Sequence, residues 1–375
     1  MIVEAIFWGA VGFTFYAYGA YPLLLSVATL FYKRPVRKAP VEPAVSMLIA
    51  AYNEQEVIEA KVRNALDQDY PADKLEVVVA SDGSQDATNQ IVTSLAGGGR
   101  VRLFAFAENR GKVAVLNDSV PRLQGSVVVF SDASSMLDRT AVRRLVENFA
   151  DDEVGAVSGI YRVRKQREAD LGEQEDFYWK YETFLKVCES RLGSVLGAHG
   201  SLYAIRKDLY PFPRAGTIND DYVIPVRILQ RGYRVAYETS AVAYEEAKEM
   251  AGFSRRVRIM AGNYEQIGEL MLLLRPVRWF PLFVFLSHKV SRLLVPAALV
   301  TAVVACSLLL DQPLYRWLWG LQLAFYAAAL LGLVLPAAGK FVKLPYYFCM
   351  INVAAFCGIY YAAAKRQSLR WKHDQ

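Results

Sequence analysis

The sequence predicts an α/β domain on a parallel sheet, flanked at both ends by helices long enough to cross a bilayer. Short Val-rich runs such as Val77-Val78-Val79-Ala80 and Val127-Val128-Val129-Phe130 alternate with helical segments. That is the pattern of buried parallel strands joined by crossover helices. These runs lead into Asp82 and Asp132, and ligands in open α/β sheets bind at the carboxyl ends of strands. The hydrophobic residues, 54% of the chain, are concentrated toward its ends.

From the N-terminus, Ala5 to Tyr32 carries no charge and exceeds the roughly 20 residues that a spanning helix needs. It has no basic leader and no small-residue cleavage site, so it reads as a retained anchor. Lys33, Arg34, Arg37 and Lys38 follow and place the next domain on the cytoplasmic side. The expected division is an anchor over 1–38, a catalytic domain over 39–265, an interfacial amphipathic segment over 266–292 and a membrane region over 293–375. Residues 39–44 read as a Pro-containing linker.

The elements then follow in order. Val45–Ala51 is an apolar strand, and 54–67 a helix with Ile58, Val62, Ala65 and Leu66 on one face. Strands are expected over 75–80, 101–107 and 126–131, with helices over 86–95, 112–120 and 139–150. Beyond 155 the alternation weakens. A helix over 174–190 sets Phe177, Tyr181, Phe184 and Leu185 on one side. A Gly-rich and then apolar stretch occupies 193–205. The helix over 220–232 opens on acids, where its dipole favours them, before a strand over 234–237.

Further on, 293–310, 317–336 and 344–364 are each long enough to cross. The aromatic and basic stretch 279–292 reads as an interfacial helix, with a buried core helix as the alternative. If the first helix crosses inward, three further crossings put Lys365, Arg366, Arg370 and Lys372 outside, against the positive-inside rule. Either one segment is re-entrant or interfacial, or the tail is an exception.

The net charge of +6 gathers beside these apolar segments. That is a membrane-surface pattern, and no nucleic-acid partner is expected. Cys188, Cys306, Cys349 and Cys357 show no C-x-x-C spacing, which points to neither a disulfide framework nor a zinc site.

Several short motifs carry chemistry. Ala51-Tyr52-Asn53-Glu54 closes the first strand. It reads as a helix start or as a nucleotide pocket with Tyr52 against a base or ribose. Asp82 sits at its strand end, placed for a ligand, and Asp86 caps the next helix. Glu108-Asn109-Arg110-Gly111-Lys112 joins a strand to a helix. Glycine and lysine at a helix start favour phosphate, although the P-loop spacing is absent and a solvated basic turn has the same composition. Asp132 ends a very apolar strand, and a lone buried carboxylate is costly unless paired or metal-bound. This points to Mg²⁺ or Mn²⁺, which would also hold phosphate oxygens. Asp220-Asp221 adds an acidic pair. Arg255-Arg256-Val257-Arg258 is either a diphosphate clamp or a basic face against a membrane.

Taken in this order, the motifs resemble membrane-embedded family 2 glycosyltransferases of GT-A fold, the group of cellulose, chitin, hyaluronan and poly-N-acetylglucosamine synthases. The resemblance runs from about Val45 to Asn263. It implies Tyr52, Glu54 and Asp82 in the nucleotide-binding segments, Lys112 near the donor phosphates, and Asp132 as the first aspartate of the D-x-D metal motif. It sets His199 and Gly200 in a Gly-rich acceptor-side loop. Asp221 becomes the general base with Asp220 supporting it, and Arg255 and Arg258 fall in (Q/R)-x-x-R-W.

The resemblance also implies a Mg²⁺ or Mn²⁺ cofactor, a UDP- or GDP-sugar donor and a glycan or lipid-linked acceptor. The enzyme would be inverting and multi-pass in the inner (plasma) membrane, with a cytoplasmic catalytic domain. Ser134 stands where the second D-x-D aspartate would be, and Ile259 replaces the tryptophan of processive synthases. The expected function is therefore transfer of one or a few sugars to a membrane-proximal or lipid-linked glycan. A processive polysaccharide synthase with a transmembrane channel is the alternative, and a non-catalytic nucleotide-sugar-binding scaffold the third reading.

Overall fold

The computed structural model describes residues 1–164, 171–246, 252–270, 278–335 and 340–363. The chain divides into two compact units: Tyr32–Gln166 with Tyr181–Ala247, and Met1–Phe31 with Arg167–Lys180 and Lys248–Gln367. Arg255 and Arg258 therefore belong with the apolar unit, although the sequence reading assigns them to the catalytic domain.

The described residues of the first unit form eight strands: β1 (Val45–Ala51), β2 (Leu75–Asp82), β3 (Val101–Phe106), β4 (Val127–Asp132), β5 (Met136–Leu137), β6 (Val154–Arg164), β7 (Tyr203–Arg206) and β8 (Arg234–Glu246). Their order is β3-β2-β1-β4-β7-β6-β8-β5. The first four strands in that order pair in parallel, as their apolar runs predict. The second half is mixed: β7 runs antiparallel to both β4 and β6, and β8 runs parallel to β6. A wholly parallel sheet is therefore not formed. β7 follows a helix and a long loop, and it enters beside β4 without a crossover of the repeating kind.

β6 is an unpredicted strand, because Gly155, Ser158 and Gly159 interrupt its apolar run. The glycines are there for close packing. A β-carbon at Gly155 would lie 2.5 Å from Ile228 Cγ2, and one at Gly159 2.7 Å from the Ala241 carbonyl oxygen.

Every residue of β1 is buried. Strand side chains such as Met47, Ile49, Val77, Val79 and Val129 form the core with Val62, Val142 and Leu145 from the helices. The helix expected over 54–67 is Ile58–Leu66, burying Ile58, Val62 and Ala65. It starts late because Asn53 turns left-handed at φ 53 and the Glu54 carbonyl closes a turn on the Val57 and Ile58 N–H groups. The helix Leu171–Leu192 also differs from expectation. Leu185 is buried, but Phe184 is 43% exposed, and the buried face carries Glu182, Lys186 and Glu189. Phe177 has its side chain outside the described residues.

The stretch after the anchor is tied down rather than free. Arg34 pairs with Glu153, Arg37 with Asp151 and Lys38 with Glu238. Buried Arg234 donates to the Arg34 carbonyl at 2.6 Å, and the Tyr70 hydroxyl to that of Pro43 at 2.6 Å. Residues 33–44 thus form a strap docked on the first unit, where the sequence suggests a linker and lipid-facing cations.

Among the described residues, the apolar unit holds four helical runs long and apolar enough to cross a membrane: Ile2–Phe31, Trp279–Ser307, Pro313–Val334 and Phe341–Ala362. The block read as interfacial, 279–292, is continuous with the run that follows it. A wide turn over Phe285–Val290 keeps the backbone helical between Trp279–Val284 and Ser291–Ser307. A matching turn over Tyr16–Ala20 interrupts the first run, and the Tyr16 and Ser287 hydroxyls bond at 2.6 Å. Phe7 and Ala10 pack with Ala302, Ala305, Cys306 and Tyr315. Leu321, Leu330 and Leu333 are exposed, as a lipid-facing helix requires. The basic tail over 365–372 lies outside the described residues.

Candidate functional site

β1 lies between β2 and β4, with Ala51 opposite Ser81 and Ala50 opposite Asp132. The strand order reverses at this point, which opens a crevice at the carboxyl ends. Asp82 and Asp132 therefore close strands on opposite sides of β1.

Asp82 is 1% exposed. Its carboxylate oxygens accept the N–H groups of Arg110 and Gly111, each at 2.8 Å. These bonds fold the 108–111 loop. The loop passes so close to Gly83 that a β-carbon there would sit 2.6 Å from the Asn109 nitrogen. Gly83 also has φ +71, so glycine is required. On the β1 side, Asn53 Oδ1 accepts the Gln85 N–H at 2.8 Å, and its own N–H reaches Ser84 Oγ at 3.0 Å. Asn53 thus clips two strand-end loops together instead of capping a helix. Tyr52 and Glu54 stand half-buried on this stretch. Asp86 accepts the Thr88 N–H at 3.0 Å, close to the cap expected of it.

Gly111, at φ 90, precedes the helix Lys112–Ser119. Lys112 Nζ lies 2.9 Å from Asp132 Oδ1 and 3.5 Å from Asp220 Oδ2. Burial alone would lower the lysine pKa, but the Asp132 and Asp220 carboxylates outweigh it and hold the ammonium well above its usual range. Lys112 is a fixed cation in the strand-end crevice.

Asp220 and Asp221 open the helix Asp220–Gln230. Asp220 is buried and receives the Tyr203 hydroxyl at 3.4 Å. Asp221 is partly buried. Its Oδ2 accepts the Gly200 N–H at 3.0 Å, and its carbonyl accepts that of Ala198 at 2.7 Å. Burial, then the charge of Asp220, raises the Asp221 carboxyl to about 6, the range suited to a general base near neutral pH. A β-carbon at Gly200 would lie 3.3 Å from Asp221 Oδ2 and 3.6 Å from Asp132 Oδ2. Glycine leaves the gap between these carboxylates open.

The His199 side chain lies deeper. Its Nε2 meets the Tyr237 hydroxyl at 3.0 Å and Lys186 Nζ at 3.3 Å. Its backbone N–H donates to Ser158 Oγ at 3.1 Å. At 8% exposure it supports the loop that Gly200 presents. Arg258 is exposed on the helix Gly252–Leu270 of the apolar unit. The Arg255 side chain lies outside the described residues.

Fit to a cation follows from the donor set. Among the described residues, no cluster of three or more His, Cys, Asp or Glu forms a cation cage. Asp132 offers a hard carboxylate with 31% side-chain exposure. Mg²⁺-like ions are commonly held by one or two carboxylates plus substrate phosphates. The residues fit an ion brought in with a diphosphate, and Ser134 is no obstacle to it.

Lys61 escaped the sequence reading. Fully buried, it donates from Nζ to Ser131 Oγ at 2.7 Å and to the Ser135 carbonyl. Burial pushes its amine down to about 7. The available signal is helical phase, since position 61 lies on the face that Ile58, Val62 and Ala65 bury.

Comparison with known proteins bears on the family and the fold. Residues 46–210 match the family described as Glycosyl transferase family 2. A poly-β-1,6-N-acetyl-D-glucosamine synthase of Staphylococcus aureus (strain COL) is 26% identical over 269 residues, 70% of this chain and 65% of the relative. A synthase of the same name from Staphylococcus epidermidis is 25% identical over 228 residues, 59% of this chain and 55% of that one. The chain thus spans less than two thirds of these relatives. A mannosyltransferase from Pyrobaculum calidifontis, solved with GDP-Man and Mn²⁺, superposes with a TM-score of 0.77 at 25% identity, covering 97% of this chain and all of that one.

Proposed function

We infer from the family 2 glycosyltransferase domain carried by residues 46–210 that the chain moves a sugar from a nucleoside-diphosphate donor to a membrane-proximal or lipid-linked glycan, inverting the anomeric centre. The observation that carries this reading is the Asp132–Lys112–Asp220–Asp221 constellation at the strand-end crevice, with Gly200 holding a gap between two carboxylates. Tyr52, Glu54 and the loop braced by Asp82 would line the nucleoside side. Lys112 offsets the charge of the leaving diphosphate. Asp221 takes the proton of the acceptor hydroxyl as its oxygen attacks the anomeric carbon and the nucleoside diphosphate departs.

Asp132 would hold a divalent cation, Mg²⁺ or Mn²⁺, together with diphosphate oxygens. When bound, the ion supplies Lewis-acid stabilisation of the leaving group. The similarity to a mannosyltransferase solved with GDP-Man and Mn²⁺ supports this reading. The four apolar runs among the described residues support a membrane location, and the basic residues Lys33, Arg34, Arg37 and Lys38 after the first run support a cytoplasmic side for the unit that follows.

Polymerisation is the second reading, favoured by the synthases to which the chain is similar and opposed by Ile259 in place of tryptophan. Product analysis separates the two. Purified protein in lipid, given donor and acceptor, is expected to add one or a few sugars with inverted configuration by NMR. A ladder of long products supports polymerisation, and retained configuration contradicts the inverting role of Asp221.

A pH dependence follows from Asp221. Its carboxyl is raised to about 6, and a base must be ionised, so kcat/KM should fall as pH drops through that value. Positive charge beside Asp132 favours the ionised form, so saturating cation moves the inflection downward. A flat profile from pH 5 to 8 would remove the base assignment.

A further inference from the structure

Burying a lysine is costly in desolvation and rotamer freedom, and a methionine would fill the same volume. Lys61 is 0% exposed, and its bonds go to a specific place. Ser131 stands just before Asp132. The Ser135 N–H closes a turn on the Asp132 carbonyl at 3.2 Å. Lys61 Nζ holds both ends of that turn, through Ser131 Oγ at 2.7 Å and through the Ser135 carbonyl. Ser131 Oγ in turn donates to the Ser201 carbonyl at 2.8 Å, and Ser201 follows Gly200. Ser135 Oγ is fixed from the far side by Glu245, at 2.5 Å. None of these bonds uses the Asp132 carboxylate, which stays available to Lys112 and a ligand.

We propose that Lys61 is a positioning residue: one buried amine ties the 132–135 turn to the 199–201 loop, so that Asp132 and Asp221 face one donor–acceptor pair in fixed register. With Ser134 in place of a second carboxylate, orientation of the remaining one matters more. The catalytic consequence rests on the proposed transfer reaction; the consequence for cation binding rests on the hydrogen bonds and on the proposed role of Asp132 as the cation's carboxylate.

Mn²⁺ binding by the full chain in lipid nanodiscs, read by electron paramagnetic resonance with and without UDP or GDP, tests this. The variants are Lys61→Met, Ser131→Ala and the double. Removing the amine, charged or neutral, cannot weaken cation binding through charge, so weakening reports lost geometry. Lys61→Met is expected to weaken Mn²⁺ by about 10–100-fold, the usual effect of removing an outer support. Ser131→Ala should weaken it less, and the double no more than Lys61→Met, because both cut the same tie.

The tie should also show in product partition. In hydrolysis, water replaces the acceptor hydroxyl at the anomeric carbon and the nucleoside diphosphate leaves. The hydrolysed share of consumed donor should rise in both single variants. Wild-type Mn²⁺ affinity in both single variants overturns the proposal, whatever their turnover. So does weakening confined to Lys61→Met together with a large fall in Tm, which marks the amine as core packing only. A wild type that consumes no nucleotide sugar contradicts the proposed function, and the Mn²⁺ readout still decides Lys61.

Discussion

Asp221→Asn is expected to lower sugar transfer by about 10²–10⁴-fold, the usual worth of a general base, or about 3–5.5 kcal/mol of barrier. Asparagine keeps an oxygen for the Gly200 N–H that Asp221 holds at 3.0 Å, so the acceptor-side loop stays in place. It cannot take a proton. Donor affinity should therefore remain within about threefold of wild type, because only the transition-state interaction is lost. Single-turnover transfer alongside nucleotide binding measures both quantities. Asp220→Asn should act differently. Asp220 is buried against Tyr203 and Lys112, so its loss removes charge that raises Asp221 and shifts the pH profile down.

Asp132→Asn is expected to weaken Mn²⁺ and Mg²⁺ sharply and to lower turnover by about 10²–10³-fold, in line with the several kcal/mol that a Lewis-acid ion supplies. It also deprives Lys112 of the nearer of its two carboxylate partners. EDTA should abolish wild-type transfer, and Mn²⁺ or Mg²⁺ should restore it. In the variant, restoration should need at least tenfold more cation. Full activity in EDTA would remove the metal from the reaction and leave Lys112 as the charge partner of the diphosphate.

The first half of the sheet was legible in the sequence because parallel strands are buried on both faces and read as unbroken apolar runs. β6 was hidden by Gly155 and Gly159, which serve close packing and so look like breaks. The helix starting at Ile58 was drawn too early because Asn53 and Glu54 look like a cap. Their polar groups instead join two loops, a contact between residues distant in sequence. Asp132, Lys112, Asp220 and Asp221 were legible because strand ends and helix starts mark where side chains converge. Their pairing was not, since no local pattern brings residue 112 to residue 220. Lys61, between Glu59 and Arg63, reads as a surface residue until helical phase is counted.

Donor consumption tests the central claim most directly. Wild-type protein and Asp221→Asn, purified in lipid with Mn²⁺, are given a panel of UDP- and GDP-sugars with and without a lipid-linked acceptor. Release of nucleoside diphosphate is followed. The expected result is that the wild type consumes one donor class, faster with acceptor, while Asp221→Asn binds that donor and releases almost nothing. Equal release by both proteins, or no donor consumed by the wild type, would contradict it.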